Sequence, residues 1–193
     1  MKYLFIFIGF LCAGVANAQF TTSVYWTEQS SMPASEVIYF KPDVSLVWKD
    51  FKGAPVASSP AAAITASGFG YKASIEDAGN KGQLKIGVYC YFNKNNSWVK
   101  QGKTSAYILN HEQHHFNISY LAAKLFVDKL KAASFTKSNY NVLLPRIYNE
   151  VVATMNKMQD DYDGQTKNGQ LKDMQARWDI FLSNKIAAFT SSR

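Results

Sequence analysis

Five consecutive residues, His111-Glu112-Gln113-His114-His115, have the types and spacing to do chemistry in this chain. Residues four apart on a helix lie about 40° from each other around the axis, so His111 and His115 would project side by side and could share one metal ion. Glu112 would stand about 100° from His111, within reach of a water on that ion without ligating it. That is the arrangement of zinc peptidases, in which zinc acidifies its water and polarises a scissile carbonyl while the glutamate moves the proton. With three histidines in 193 residues, a chance H-E-x-x-H is expected on the order of once per thousand such chains, so the match carries weight.

Competing readings of the same residues are weaker. His111 and His115 as satisfied core histidines of a structural helix is the bland alternative. His114 points off the His111 direction and reads as a residue behind the ligands or on the surface. Glu112 and His115 as half of a di-iron site would need a second E-x-x-H motif, and there is none. A catalytic zinc needs a third protein ligand, and the motif uses every histidine, so a carboxylate or a less usual donor must supply it. Glu150, Asp160, Asp161 and Asp163 are the downstream candidates. Glu150 is expected to face water. The aspartates fall where a helix is expected to end, an electrostatically poor place for carboxylates, and Asp163 is favoured among them. Tyr162 is a candidate for stabilising the oxyanion, since acyl transfer needs a donor near the carbonyl.

A helix must hold the motif, and the sequence supplies one from about Thr104 to Lys131, with Ile108, His111, His115, Ile118, Ala122, Leu125 and Lys129 at spacings of three and four. Thr104 or Ser105 would cap it. A second helix opens near Leu144-Pro145 and ends around Asp160-Asp161-Tyr162-Asp163-Gly164. A third runs from about Gly169 to Phe189. Before them, residues 19 to about 100 read as strand and loop. Glu36–Phe40 is a short strand, and Leu46–Gly53 is a loop or short strand pinned to the core. Ala62–Ser74 and Gln83–Phe92 make a hairpin in which Leu84, Ile86, Val88, Cys90 and Phe92 share a face. Strands first and helices afterwards imply an α+β fold: an N-terminal antiparallel sheet, then three helices, zincin-like, with the motif on the first long helix.

The ends and totals set the context. Met1-Lys2, an apolar run from Tyr3 to Cys12 and Ala16-Asn17-Ala18 form a secretory signal pattern, so residues 1–18 are expected to be removed and residues 19–193 to form one domain. Leu11 before Cys12 argues against a lipoprotein anchor, and the protein is expected to be secreted or periplasmic. Cys90 is then the lone thiol, expected to be buried and inert. The net charge of +7 includes Lys2, and its lysines are scattered, which reads as solubility rather than nucleic-acid binding.

Several blocks resemble the bacterial family DUF922, whose members are described as predicted secreted zinc-dependent proteases. They are Trp48-Lys49-Asp50-Phe51-Lys52-Gly53, Ala62–Gly68, Ser97-Trp98-Val99, Leu109–Phe116, and Tyr162-Asp163-Gly164-Gln165-Thr166 with Gln175 and Trp178. The resemblance implies a metallopeptidase-like domain with His111 and His115 as zinc ligands and Glu112 as general base. It also exposes departures. The family's closing block reads Tyr-Asp-x-x-Thr-x-His-Gly, whereas Asn168 precedes Gly169 here, and Asn117 and Tyr120 stand where the family tends to carry an acidic residue. Either Asp163 or a neighbour, Asn168 included, completes the zinc site, or the site is degraded. The leading expectation is an exported zinc peptidase acting on a peptide or protein substrate. The alternative is a non-catalytic binding module.

Overall fold

The alternating run at the heart of the expected hairpin is the centre of the sheet. In chain order the elements are β1 (Gln19–Trp26), β2 (Val37–Tyr39), β3 (Ala63–Ile64), β4 (Ser67–Ala78), β5 (Lys81–Asn93), β6 (Trp98–Val99), α1 (Ala106–Ala132), α2 (Tyr140–Thr166) and α3 (Lys172–Thr190). The computed structural model describes residues 19–78 and 81–190. The expected leader, residues 1–18, lies outside them.

β5 pairs antiparallel with β4 along its length, from Ser67 opposite Phe92 to Ala78 opposite Lys81. Its inward residues Leu84, Ile86, Val88, Cys90 and Phe92 are all 3% exposed or less. Each of the four hydrocarbon side chains stabilises by about 1.5–3 kcal/mol on burial, so a one-residue slip, which would turn the whole stripe to solvent, is strongly disfavoured. The other edge of β5 is shared by β1, which runs parallel to it, and β2, which runs antiparallel. The sheet is therefore mixed rather than wholly antiparallel. The chain returns through β2, β3 and β4 before reaching β5, and that long connection permits a parallel pairing.

The expected strand from Ala62 to Ser74 is broken at Thr65–Ala66. The Ala66 N–H donates to Ser97 Oγ at 2.9 Å, and the Thr65 hydroxyl donates to the Glu112 carbonyl at 3.1 Å. Ala63 and Ile64 pair instead with β6 in a separate two-stranded sheet. This break sets β3 against the N-terminal half of α1, where the motif lies.

Ser105 caps α1 by accepting the Ile108 N–H at 3.2 Å. Phe116, Tyr120 and Phe126 pack on the sheet through Phe92, Phe40 and Phe69, while His111 and His115 face Tyr162 of α2. α1 is thus the middle layer, which explains why its burial extends beyond one stripe. α2 opens at Tyr140, a full turn earlier than the sequence suggests. Pro145 sits inside it, near enough to the start that only the bond to the Asn141 carbonyl is lost. α2 also continues past the aspartates to Thr166, closing on Lys167 in the left-handed conformation. Asp160, Asp161 and Asp163 therefore lie within its last two turns. Among the described residues, no helix is long and apolar enough to cross a membrane.

Candidate metal centre

The four-residue spacing on α1 sets the rings of His111 and His115 4.9 Å apart and nearly perpendicular. Their Nε2 atoms lie 3.3 Å from each other. From α2, Asp163 brings Oδ1 to 3.2 Å from the Nε2 of each histidine. Among the described residues this is the one group of three metal-capable side chains whose ligand atoms converge.

The protonation of the triangle follows from what holds each ring from behind. Gln159, one turn before Asp163 on α2, donates from Nε2 to the His115 carbonyl at 2.9 Å. Its Oε1 therefore faces His115 Nδ1, at 2.6 Å, and that nitrogen carries the proton. His111 Nδ1 lies 3.0 Å from Gln175 Oε1, which also accepts the Tyr162 hydroxyl at 2.9 Å. Both Nε2 atoms consequently aim lone pairs at a carboxylate oxygen.

Three acceptors at this separation repel each other unless a cation sits among them. Asp163 Oδ1 is buried and has no hydrogen-bond donor, and the same is true of Glu112 Oε2. Leaving two buried carboxylate oxygens of one groove unsatisfied costs on the order of several kcal/mol, the desolvation of such groups. A tetrahedral zinc with ligands at about 2.0–2.1 Å sets those ligands about 3.3 Å apart, the edge length found here. The residues present fit a dication.

The electrostatics agree in direction. Burial alone would raise the Asp163 carboxyl, but the two imidazoles 3.2 Å from its Oδ1 hold it far below the usual carboxylate range. Burial alone would lower His115, but Asp163, then Glu112 and Gln159, raise it above the ordinary imidazole value. A proton shared with Asp163 would satisfy one edge of the triangle, whereas a dication satisfies all three.

The other third-ligand candidates stand elsewhere. Glu150 is half exposed and pairs with Lys129 and Arg146, Asp161 pairs with Lys157, and Asp160 is exposed. Asn168 is exposed on the rim of the groove. The backbone beside it is tightly bent: Lys167, Asn168 and Gly169 all have positive φ. A Cβ at Gly169 would come within 3.2 Å of His111 Nδ1, so the bare glycine lets the turn close over the ring.

Tyr162 stands behind His111. Its side chain is 0% exposed, its ring stacks on His111 at 4.7 Å, and its hydroxyl donates to Gln175. Burial raises the hydroxyl's pKa, against the pull of Gln175 and with the help of Asp179, Asp163 and Glu112. The hydroxyl serves the histidine's support and does not face the groove, because α2 runs on past this point and turns the tyrosine into the helix interface. His114 also lies behind the ligands, 2.6 Å from Asp179, and its burial lowers its pKa despite that carboxylate.

A groove of about 640 Å³ opens over the triangle, walled by Ala62, Ala63, Tyr107, Met155, Asn156 and Asn168 among others. Glu112 faces this groove and is otherwise 4% exposed. Sequence reasoning missed Gln159 and Asp179. The signal that could have found them is spacing: Gln159 and Asp163 on α2, and Gln175 and Asp179 on α3, repeat the four-residue interval of His111 and His115.

Residues 94–170 match the model of a family described as bacterial protein of unknown function (DUF922). The matched stretch runs from the end of β5 through α1 and α2 and takes in His111, Glu112, His115, Gln159 and Asp163, stopping before α3. No curated protein and no solved structure matches the chain.

Proposed function

We propose that this chain, whose residues 94–170 match the DUF922 family, is an exported zinc-dependent peptidase that hydrolyses peptide bonds in a peptide or protein laid along the groove. The observation that carries the reading is the triangle of His111, His115 and Asp163 with the buried, unpartnered carboxylate of Glu112 beside it. When bound, zinc would supply a Lewis acid for a carbonyl and acidify water.

The chain's own residues then divide the remaining work. His111, His115 and Asp163 would hold the ion at the floor of the groove. Glu112 Oε2 has no competing donor, so it is free to take a proton from the attacking water and deliver it to the leaving amine. The walls of β3 and α2 position the substrate backbone and limit water at the reacting carbonyl. Export rests on the N-terminal basic, apolar and Ala-x-Ala pattern. The alternative, a non-catalytic binding module, draws on Asn168; Asp163, 3.2 Å from the Nε2 of each histidine, supports the zinc reading in its place.

The test is elemental analysis of purified protein together with hydrolysis of a peptide mixture followed by mass spectrometry. Near-equimolar zinc is expected, with cleavage that falls about 10²–10⁴-fold in Glu112→Gln while the zinc is retained. Protein without zinc, or cleavage undiminished in Glu112→Gln, would falsify the reading.

A further inference from the structure

We infer that α3 decides which nitrogen of His111 faces the groove: Asp179 fixes the amide of Gln175, and Gln175 fixes the ring. Asp179 Oδ1 receives the Gln175 Nε2 donor at 2.9 Å, the Asn110 Nδ2 donor at 3.0 Å and His114 Nε2 at 2.6 Å. A carboxylate can only accept, so Gln175 must present its NH₂ to Asp179 and its Oε1 to His111 and Tyr162.

The same polarity is imposed from the far side. The Leu46 N–H donates to Gln113 Oε1, Gln113 Nε2 donates to Asn117 Oδ1, and Asn117 Nδ2 lies 3.3 Å from His114 Nδ1. A backbone donor at one end of this chain leaves His114 with its proton on Nε2, directed at Asp179. Every amide on the path from the Leu46 backbone to the His111 ring therefore has one orientation. Its last step puts the proton of His111 on Nδ1 and the lone pair of Nε2 toward His115 and Asp163.

Gln175 and Asp179 are positioning residues, since neither reaches the groove. They lie beyond the stretch that matches the family, so α3 contributes to the site from outside it. A neutral amide behind each histidine also distinguishes this site from one backed by carboxylates: no negative charge stands behind either ring, and the acidic groups at the groove side are Asp163 and Glu112. Only the affinity arm of the following test rests on the zinc reading.

Metal-free protein with ¹⁵N-labelled histidine, held well above the ordinary histidine pKa, reports the protonated nitrogen of each ring through long-range ¹H–¹⁵N correlations. The wild type is expected to show Nδ1–H at His111 and His115 and Nε2–H at His114. In Asp179→Asn the His111 signal becomes a mixture of tautomers while His115 keeps Nδ1–H. Zinc titrated against a chromophoric chelator binds Asp179→Asn and Gln175→Met about 10–100-fold more weakly than wild type. An Nε2–H tautomer at His111 in the wild type overturns the assignment. So does an unchanged His111 tautomer in Asp179→Asn with wild-type zinc affinity in both variants. A wild type that shows the tautomer pattern but takes no zinc supports the assignment and sinks the peptidase reading alone. If a variant fails to fold, the wild-type tautomers still decide.

Discussion

Gln159 holds His115 at two points: its Oε1 accepts from the ring Nδ1 at 2.6 Å, and its Nε2 donates to the same residue's carbonyl at 2.9 Å. One side chain thus fixes both the tautomer and the direction of the imidazole. The mirror role on α3 belongs to Gln175, so the site is built from three four-residue pairs, one on each helix. The substitution Gln159→Met keeps the volume and removes both bonds. Zinc affinity measured by chelator competition is expected to fall about 10–100-fold. An unaltered affinity would show that packing alone orients His115.

The burial of Tyr162 separates two roles by their size. As a partner of Gln175, its hydroxyl contributes about 0.5–1.5 kcal/mol to stability. As an oxyanion donor, its loss would lower kcat about 10²–10³-fold. Tyr162→Phe is accordingly expected to lower the midpoint of denaturant unfolding while leaving peptide turnover near wild type. A collapse of kcat at unchanged stability would return the tyrosine to the groove.

The parts of this molecule that could be read in the sequence are those set by local period. The Leu84-to-Phe92 stripe has the two-residue repeat of a half-buried strand, and His111 and His115 have the repeat of a helix; both stand as the pattern requires. What could not be read depends on contacts between distant segments. The parallel pairing of β1 with β5, the break at Thr65 forced by the Glu112 carbonyl and Ser97, and the extension of α2 past Gly164 all arise in this way. Asp163 is instructive. The sequence had it at the end of a helix, and it sits within the last turn, where its carboxylate is still poorly placed with respect to the helix dipole. A cation held by Asp163 and the two histidines would offset that cost. Gln159 and Asp179 escaped because a neutral amide and one exposed-looking aspartate carry no signature until their partners are known.

Cys90 provides a pH test that is independent of the metal. Burial pushes its thiol pKa well up, against a smaller lowering by a backbone hydrogen bond at Tyr91. For a group raised on folding, the stabilisation is fully present below the unfolded pKa, about 8.5 for a thiol, and is lost as pH rises toward the folded value. Over that window the unfolded chain releases a proton that the native chain retains. Stability should therefore decline with a slope of about 0.7 kcal/mol per pH unit at pH 8.5, steepening toward about 1.4 a unit higher, before the tyrosines near pH 10 contribute fully. In Cys90→Ala the slope between about pH 8.5 and 9.5 is expected to flatten. Urea melts across that range measure it, and an equal slope in both proteins would mean that the thiolate forms without unfolding.

The loop beneath the motif helix offers the last prediction, at Gly53. Its N–H donates to the Ser97 carbonyl at 2.8 Å, and its Cα is pressed against the turn after β5. A Cβ there would stand 2.6 Å from the Asn95 carbonyl oxygen and 2.9 Å from that of Ser97. Both obstacles are backbone, so the loop must move away as a unit rather than rotate a side chain. The loop carries Phe51, which packs edge-on against Phe92, and Leu46, whose N–H starts the hydrogen-bonded path toward His114. Gly53→Ala is thus expected to cost about 1–3 kcal/mol, the size of an overpacking strain. Because the displacement pulls on Leu46, it should also loosen the orientation of Gln113 and Asn117. Urea unfolding measures the first effect, and amide hydrogen exchange at Leu46 measures the second. A variant as stable as wild type, with Leu46 still protected, would show that the loop has slack the backbone contacts do not reveal.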